Sequence, residues 1–384
     1  MFGNLLPLIA VFALLVTAVG FLYTLIAVQR MHAFGRRRAK CGPATAPVTV
    51  LKPLHGLEAG LFENLCSFCD QQYPLFQVVF GVADARDPAI AVVERVMAQY
   101  PALDITLIVN ERIDGRNPKV SNLANMMPAA KHDLVFIADA DMRVDSNYLR
   151  TIVSELQGDG VGAVTCLYAG VPFGGRASKL GAAYINDHFA PSVLVALVLG
   201  QLNFCMGSTM AIRRQTLEAV GGLAALGTHL GDDFTLGQLV RAAGLDVVLS
   251  SYVVRNVVCE PELATLWEHE MRWARTVRVQ HPIGYAFLFL TYPLPFAVLY
   301  LALTENAPLG LIALALAAIA RIALARASQT ALNVRAKQTL RWIPIRDALS
   351  LVIWAGSFFG REVRWRGQRL RISTDGRLDG DPSS

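Results

Sequence analysis

Four apolar, β-branched runs recur at near-constant spacing: VTVLKP from Val48, FQVVFGVAD from Phe76, DITLIVN from Asp104 and DLVFIADAD from Asp133, with starts 28, 28 and 29 residues apart. Helix-like stretches at 57–72, 87–99 and 119–131 separate them, and Asp87-Pro88 opens the second as an N-cap followed by a first-turn proline. A strand–helix unit repeated at this length predicts an α/β domain with a mostly parallel sheet and right-handed crossovers. Ligands of such sheets lie at the carboxyl ends of the strands. Asp84 ends the second run, and Asp139-Ala140-Asp141 ends the fourth. Further along, 161–170, 203–214 and 245–254 read as strands, and 176–190, 215–220, 233–243 and 261–280 as helices.

The chain is 54% hydrophobic, and the excess is concentrated in 5–28, 284–303, 308–325 and 348–359. Residues 5–28 hold no charge and are long enough to cross a hydrocarbon core of ~30 Å. A signal peptide fits less well: the run is too long, no basic segment precedes it, and no small-residue cleavage site follows. Arg30, Arg36, Arg37, Arg38 and Lys40 come next, which by the positive-inside bias puts the following residues on the cytoplasmic side. Residues 284–303 and 308–325 read as a membrane hairpin, with Arg321 snorkelling at its inner end and Arg326, Arg335, Lys337, Arg341 and Arg346 marking a cytoplasmic loop. Leu349–Gly360 is short for a span, and five arginines follow it, so a re-entrant or interfacial element is expected. The apolar run Phe189–Gly200 reads either as a core helix or as an interfacial surface where a lipid enters. The net charge of +5 comes from basic residues at membrane edges, which points to anionic lipid headgroups rather than nucleic acid. The six cysteines are scattered, and Cys66-x-x-Cys69 has no second pair, so buried reduced thiols are expected. Only the tail, 374–384, reads as disordered.

Four landmarks carry the chemistry. At the end of a strand, Asp139 and Asp141 can both reach one hard cation, and oxygen donors suit Mg2+ or Mn2+ bridging to phosphate. Asp84 is placed to accept hydrogen bonds from a base or ribose. Lys119 and Asn122, in NPKVSNL, open the next helix, where a cation adds to the dipole's pull on phosphate. Asp232-Asp233 starts another helix, and Asp233 is the candidate general base. In His269-x-x-Arg272-Trp273, His269 and Arg272 share one helix face; Arg272 suits a leaving phosphate and Trp273 an acceptor mouth. The plainer reading of that helix is a basic amphipathic segment on the membrane surface.

These stretches resemble the inverting GT-A glycosyltransferases of the family 2 and 21 type, and more closely ceramide glucosyltransferases and their bacterial relatives. The matching stretches are VTVLKPLHG, QYPLFQVVFGVADARDPAI, GRNPKVSNL, ADADMRV, AVGG, GDDF, HEMRW, IRDALS and RWRGQRLRI. VSNLANM, VTCLYAG, FAPSVLVA and HEMRWARTVR are similar to the glycosyltransferases of bacterial hopanoid biosynthesis. The resemblance implies a GT-A fold and transfer of N-acetylglucosamine from its UDP form to bacteriohopanetetrol in the bacterial inner membrane, with ceramide and UDP-glucose as the alternative pair. It implies Asp84, Lys119, Asn122, Asp139 and His269 for the nucleotide, Asp139 and Asp141 for Mg2+ or Mn2+, and Asp233, Arg272 and Trp273 for catalysis. His269 stands where the family's (Q/R)xxRW element has Gln or Arg, which argues against a processive polysaccharide synthase. The corresponding division is 1–29 as a transmembrane helix, 30–260 as a cytoplasmic catalytic domain, 261–283 as an interfacial helix, 284–360 as two to three membrane segments and 361–384 as a basic tail. A non-catalytic membrane protein would have no use for acidic residues at two strand ends.

Overall fold

The computed structural model describes residues 5–37, 44–198, 200, 203–334, 340–365, 368–373 and 376–379. Arg38, Lys40, Cys41, Arg335, Lys337, Arg366 and most of the 374–384 tail lie outside them. The chain divides into two compact units, each drawn from three segments: Met1–Arg37, Gly174–Gln201 and Glu260–Leu370 form one, and Arg38–Phe173, Leu202–Cys259 and Arg371–Ser384 the other.

The second unit is built on an eight-stranded sheet. Its strands are β1 Val48–Pro53, β2 Phe76–Val82, β3 Asp104–Val109, β4 Leu134–Ile137, β5 Met142–Arg143, β6 Val161–Pro172, β7 Met210–Arg213 and β8 Asp246–Val258, in the order β3-β2-β1-β4-β7-β6-β8-β5. The four regularly spaced runs pair in parallel, as their spacing predicts, through Val50↔Val78, Val78↔Ile105 and Val50↔Phe136. Beyond β4 the sheet is mixed: β7 is antiparallel to β4 and β6, β6 and β8 run parallel, and β5 is antiparallel to β8. Strand residues alternate between two cores, because successive side chains face opposite sides of the sheet. Val50, Val78, Phe80 and Phe136 pack on one face with Phe68 and Tyr148. Leu51, Val79, Val135 and Ile137 pack on the other with Leu123, Met210 and Leu236.

The strand expected over 203–214 is only Met210–Arg213, since the chain before it turns through a Met206–Thr209 bridge. Gly237 explains the close packing there. A Cβ at that position would run into the Phe204 backbone, so the helix Asp232–Ala242 lies directly against this turn. The helix Ala89–Gln99 begins one residue later than expected, with Pro88 at its N-cap, and Asp87 just before it accepts from Ala89 N at 2.8 Å. The five described cysteines are free thiols.

Residues 371–373 and 376–379 join this unit rather than standing free. Ile372 and Leu378 are buried, and their strands pair antiparallel. Leu378 N donates to Thr228 O at 2.8 Å, Arg377 bridges to His229, and Arg116 donates to Leu378 O at 2.8 Å. The expected disorder therefore fails for 376–379. Three residues on, the segment they hold enters the Asp232–Ala242 helix.

Among the described residues, the first unit holds two helices long and apolar enough to cross a membrane, Leu5–Gly35 and Ala307–Ala331. The span expected over 284–303 is broken into Pro282–Ala286, a 3-10 turn Leu288–Thr291, and Pro293–Leu303. Pro282 and Pro293 each lack the N–H that would continue the preceding helix. The last piece has 11 residues, about 16 Å of helix against a ~30 Å core. Arg321 does not snorkel. It is buried and bidentate to Asp347, with Nε–Oδ2 at 3.0 Å and Nη2–Oδ1 at 2.8 Å. A π-turn at Ile185–Phe189 brings Asp187 O to 3.1 Å and His188 Nε2 to 2.9 Å from the same guanidinium. Nor does Arg346 mark a loop. On the helix Ile343–Ser357 it is buried and bidentate to Glu270, at 2.7 and 2.8 Å.

Both features lead to measurable expectations. Breaking a buried pair strands the remaining charge, which costs roughly 3–5 kcal/mol, whereas removing both partners costs much less. Arg346→Met should therefore lower the melting temperature of the detergent-solubilised protein sharply, and Arg346→Met with Glu270→Met should restore most of the loss. Deleting residues 371–384 should speed hydrogen exchange at 226–234 while leaving β1–β4 protected; unchanged exchange there would show that the tail holds nothing.

Candidate active site

The acidic landmarks of the second unit gather where the parallel strands end. Ile137 closes β4, and the chain then turns so that Asp139 N donates to Gly207 O at 3.0 Å. Gly207 N in turn donates to Asp233 Oδ2 at 2.9 Å, and Phe234 N to Asp233 Oδ1 at 2.8 Å. The N–H and C=O of one glycine thus tie the Asp-x-Asp turn to the proposed base. A Cβ on Gly207 would collide with Asp139 Oδ2, so only glycine leaves that carboxylate in place. Asp141 points to β8, accepting from Asn256 Nδ2 at 2.6 Å.

Two lysines compensate these carboxylates. Lys119 sits in the first turn of the helix Pro118–Met126, whose N-cap Asn117 accepts from Lys119 N and Val120 N. Its Nζ lies 2.8 Å from Asp139 Oδ1 and 2.9 Å from Asp232 Oδ2. Burial pulls this ammonium down, but Asp139 and Asp232 more than reverse the effect and hold its pKa above the usual value. Lys52 is buried on β1, donates to Asp139 O at 2.5 Å, and lies 3.9 Å over the Phe68 ring. Burial pushes it down to about 8, against the pull of Asp141 and Asp139. Burial, with Asp139 close by, pushes Asp141 up to about 6. Burial and Asp232 push Asp233 up to about 6, with Lys119 opposing.

Other expected site residues stand differently. Asp84 is half-exposed and held by Arg86 in two contacts at 3.2 Å, which keep its pKa below the usual carboxylate value. Asn122 is buried and donates to Gly81 O at 2.8 Å, tying its helix to β2. In the first unit, the helix Leu263–Gln280 carries His269, Arg272 and Trp273. His269 Nδ1 lies 2.7 Å from Glu260 Oε1, and its ring meets Trp273 edge-on at 4.3 Å. Burial lowers the His269 pKa, Glu260 opposes that shift, and Arg272 adds to it. Trp273 also meets Tyr184 at 6.3 Å, and the Arg346 guanidinium lies 5.4 Å over the same Tyr184 ring.

Sequence reasoning missed Lys52, Asp232 as a lysine partner, Gly207, Asn256 and Glu260. Lys52 left a signal, as the one charge in the run VTVLKP. The others left none, because each acts through a partner far away along the chain.

Comparison with known proteins agrees with this architecture. A mannosyltransferase from Pyrobaculum calidifontis, solved with GDP-Man and Mn2+, matches with a TM-score of 0.54 and 20% identity over 91% of this chain and 99% of its own. The likeness is one of fold, a mixed α/β sheet of the GT-A type. Ceramide glucosyltransferase 1 of Caenorhabditis elegans is 24% identical over 267 residues, 68% of this chain and 54% of that protein. A ceramide glucosyltransferase of Candida albicans is 34% identical over 125 residues, 29% of this chain and 23% of that protein. The chain spans about half the length of the first curated relatives it matches. The model of glycosyl transferase family 21 matches residues 12–378, and the chain belongs to that family.

Proposed function

We propose that this protein is an inverting glycosyltransferase that moves a sugar from a UDP-sugar to a hydroxyl of a membrane lipid. The observation that carries the reading is Gly207, whose N–H and C=O fix the Asp-x-Asp turn and the Asp233 carboxylate to each other at one edge of a GT-A sheet. The motif resemblance favours N-acetylglucosamine and a hopanoid acceptor, bacteriohopanetetrol. The names of the relatives support glucose and ceramide as the second reading. Two helices of spanning length support a multi-pass protein, with the basic flanks favouring a catalytic unit on the cytoplasmic face of a bacterial inner membrane.

The residues suit Mg2+ or Mn2+. Asp139 and Asp141 offer hard oxygen donors, and the missing Cβ of Gly207 leaves room against Asp139 Oδ2. Hard cations of this kind are commonly held by one or two carboxylates together with substrate phosphates. Bound there, the ion would neutralise charge on the departing UDP. Asp233 takes the proton from the acceptor hydroxyl as that oxygen attacks the anomeric carbon, and the two backbone N–H groups hold its carboxylate in orientation. Asp84 and Asn122 serve the nucleoside side and Lys119 the diphosphate. Arg272, with Trp273 and His269, serves the leaving phosphate and the acceptor. A single displacement with one base inverts the anomeric centre.

Membranes carrying the protein, supplied with labelled UDP-N-acetylglucosamine or UDP-glucose and with hopanoid or ceramide, should make a one-sugar lipid that a chelator abolishes. Asp233→Asn should cut transfer by about 10²-fold or more while the protein still folds; undiminished transfer would remove Asp233 as the base. The base must be ionised to accept a proton, and its carboxyl is pushed up to about 6. kcat/KM should therefore level off above that pH and fall as pH drops below it, and an unchanged rate down to pH 4.5 would contradict the assignment.

A further inference from the structure

Lys119 stands among the carboxylates that the proposed reaction assigns to the divalent ion. Its Nζ is within 3 Å of both Asp139 and Asp232. Its side chain is 9% exposed, that of Asp232 7% and that of Asp139 35%, so Asp139 is the open member of the three. Asp232 Oδ2 has no hydrogen-bond partner among the described residues, and its ion pair with Lys119 is what compensates it. The turn that carries the lysine is itself fixed, because Asn117 caps it and the Asn117 amide is anchored to His229 O at 2.7 Å.

We propose that Lys119 is a built-in counter-cation that competes with the divalent ion for Asp139, and that Asp232 retains the ammonium when Asp139 turns to the metal. This rests on the glycosyltransferase reading above. Without the lysine, Asp139 and Asp232 would be two like charges in a poorly solvated place. With it, an incoming divalent ion meets a fixed positive charge a few ångströms away and is repelled. A diphosphate relieves that repulsion, because its oxygens accept from the ammonium and ligate the metal together. The free enzyme is thereby held at weak affinity for metal alone, and metal and nucleotide bind as a couple, each raising the affinity for the other by the same factor. Asp232, which the sequence offers only as a neighbour of the base, becomes the positioning residue for the lysine.

The test is a titration of full-length, detergent-solubilised protein with Mn2+, followed by the loss of the free-ion electron paramagnetic resonance signal, with and without UDP. Lys119→Met should bind Mn2+ alone about tenfold more tightly than wild type, and UDP should enhance that binding much less. Lys119→Arg keeps the charge and should stay close to wild type. Asp232→Asn leaves the ammonium to Asp139 alone and should weaken Mn2+ binding severalfold. Lys119→Met in the Asp232→Asn background removes the buried pair together, guards against misfolding of the single variant, and should again tighten Mn2+ binding relative to Asp232→Asn. Unchanged or weaker Mn2+ binding on loss of the lysine, in a variant that melts like its parent, overturns the proposal. Wild-type protein that binds neither Mn2+ nor UDP would instead overturn the glycosyltransferase reading itself.

Discussion

Charge compensation at the carboxyl edge of the parallel strands is the constraint on which the second unit is arranged. Asp139, Asp141, Asp232 and Asp233 bring four carboxylates there, and Lys52 and Lys119 bring two ammonium groups. Both lysines are buried and planted in the framework. Lys52 stands inside β1, and Lys119 in the first turn of a capped helix. The formal balance leaves two negative charges unmatched, and burial, with Asp139 beside Asp141 and Asp232 beside Asp233, raises the pKa of both. The divalent cation proposed for this site would supply the missing charge, and the fold would then hold a deficit that its ligands make good.

The first unit meets a related difficulty in a less polar setting. Arg321, Arg346, Asp347 and Glu270 are all buried, and each charge has a bidentate partner. Buried pairs of this kind add little to stability over an apolar core, but they penalise any arrangement that separates them. They set the register between the helix carrying His269, Arg272 and Trp273, the helix Ile343–Ser357 and the long helix Ala307–Ala331. Tyr184 adds an aromatic link, lying between Trp273 and the Arg346 guanidinium.

Much of the fold was legible from spacing alone. Runs near Val48, Phe76, Asp104 and Asp133 became β1–β4, and the acidic end of the fourth lies in the candidate site, because strand period and crossover length are local properties. The mixed half of the sheet was less legible, since β7 inserts between β4 and β6 by long-range pairing that leaves no local period. The 284–303 run misled because hydropathy counts apolar residues and ignores the prolines that divide it. Arg321 and Arg346 misled for another reason. A lone arginine near an apolar run reads as a membrane flank, and only the fold shows that Asp347 and Glu270 come to meet them. In the candidate site, pattern alone picks out Asp139, Asp141 and Asp233, whereas Gly207 and Asn256 make contacts that no spacing reveals.

Arg346 and Asp347 are consecutive yet bind different helices. Neighbouring side chains on a helix diverge by roughly 100°, so one short stretch addresses Glu270 in one direction and Arg321 in the other. A residue inserted or deleted just before this pair would turn both away from their partners at once and leave four buried charges stranded. Evolutionary drift in length is thus barred from the start of this helix, and related chains should vary there by replacement rather than by insertion.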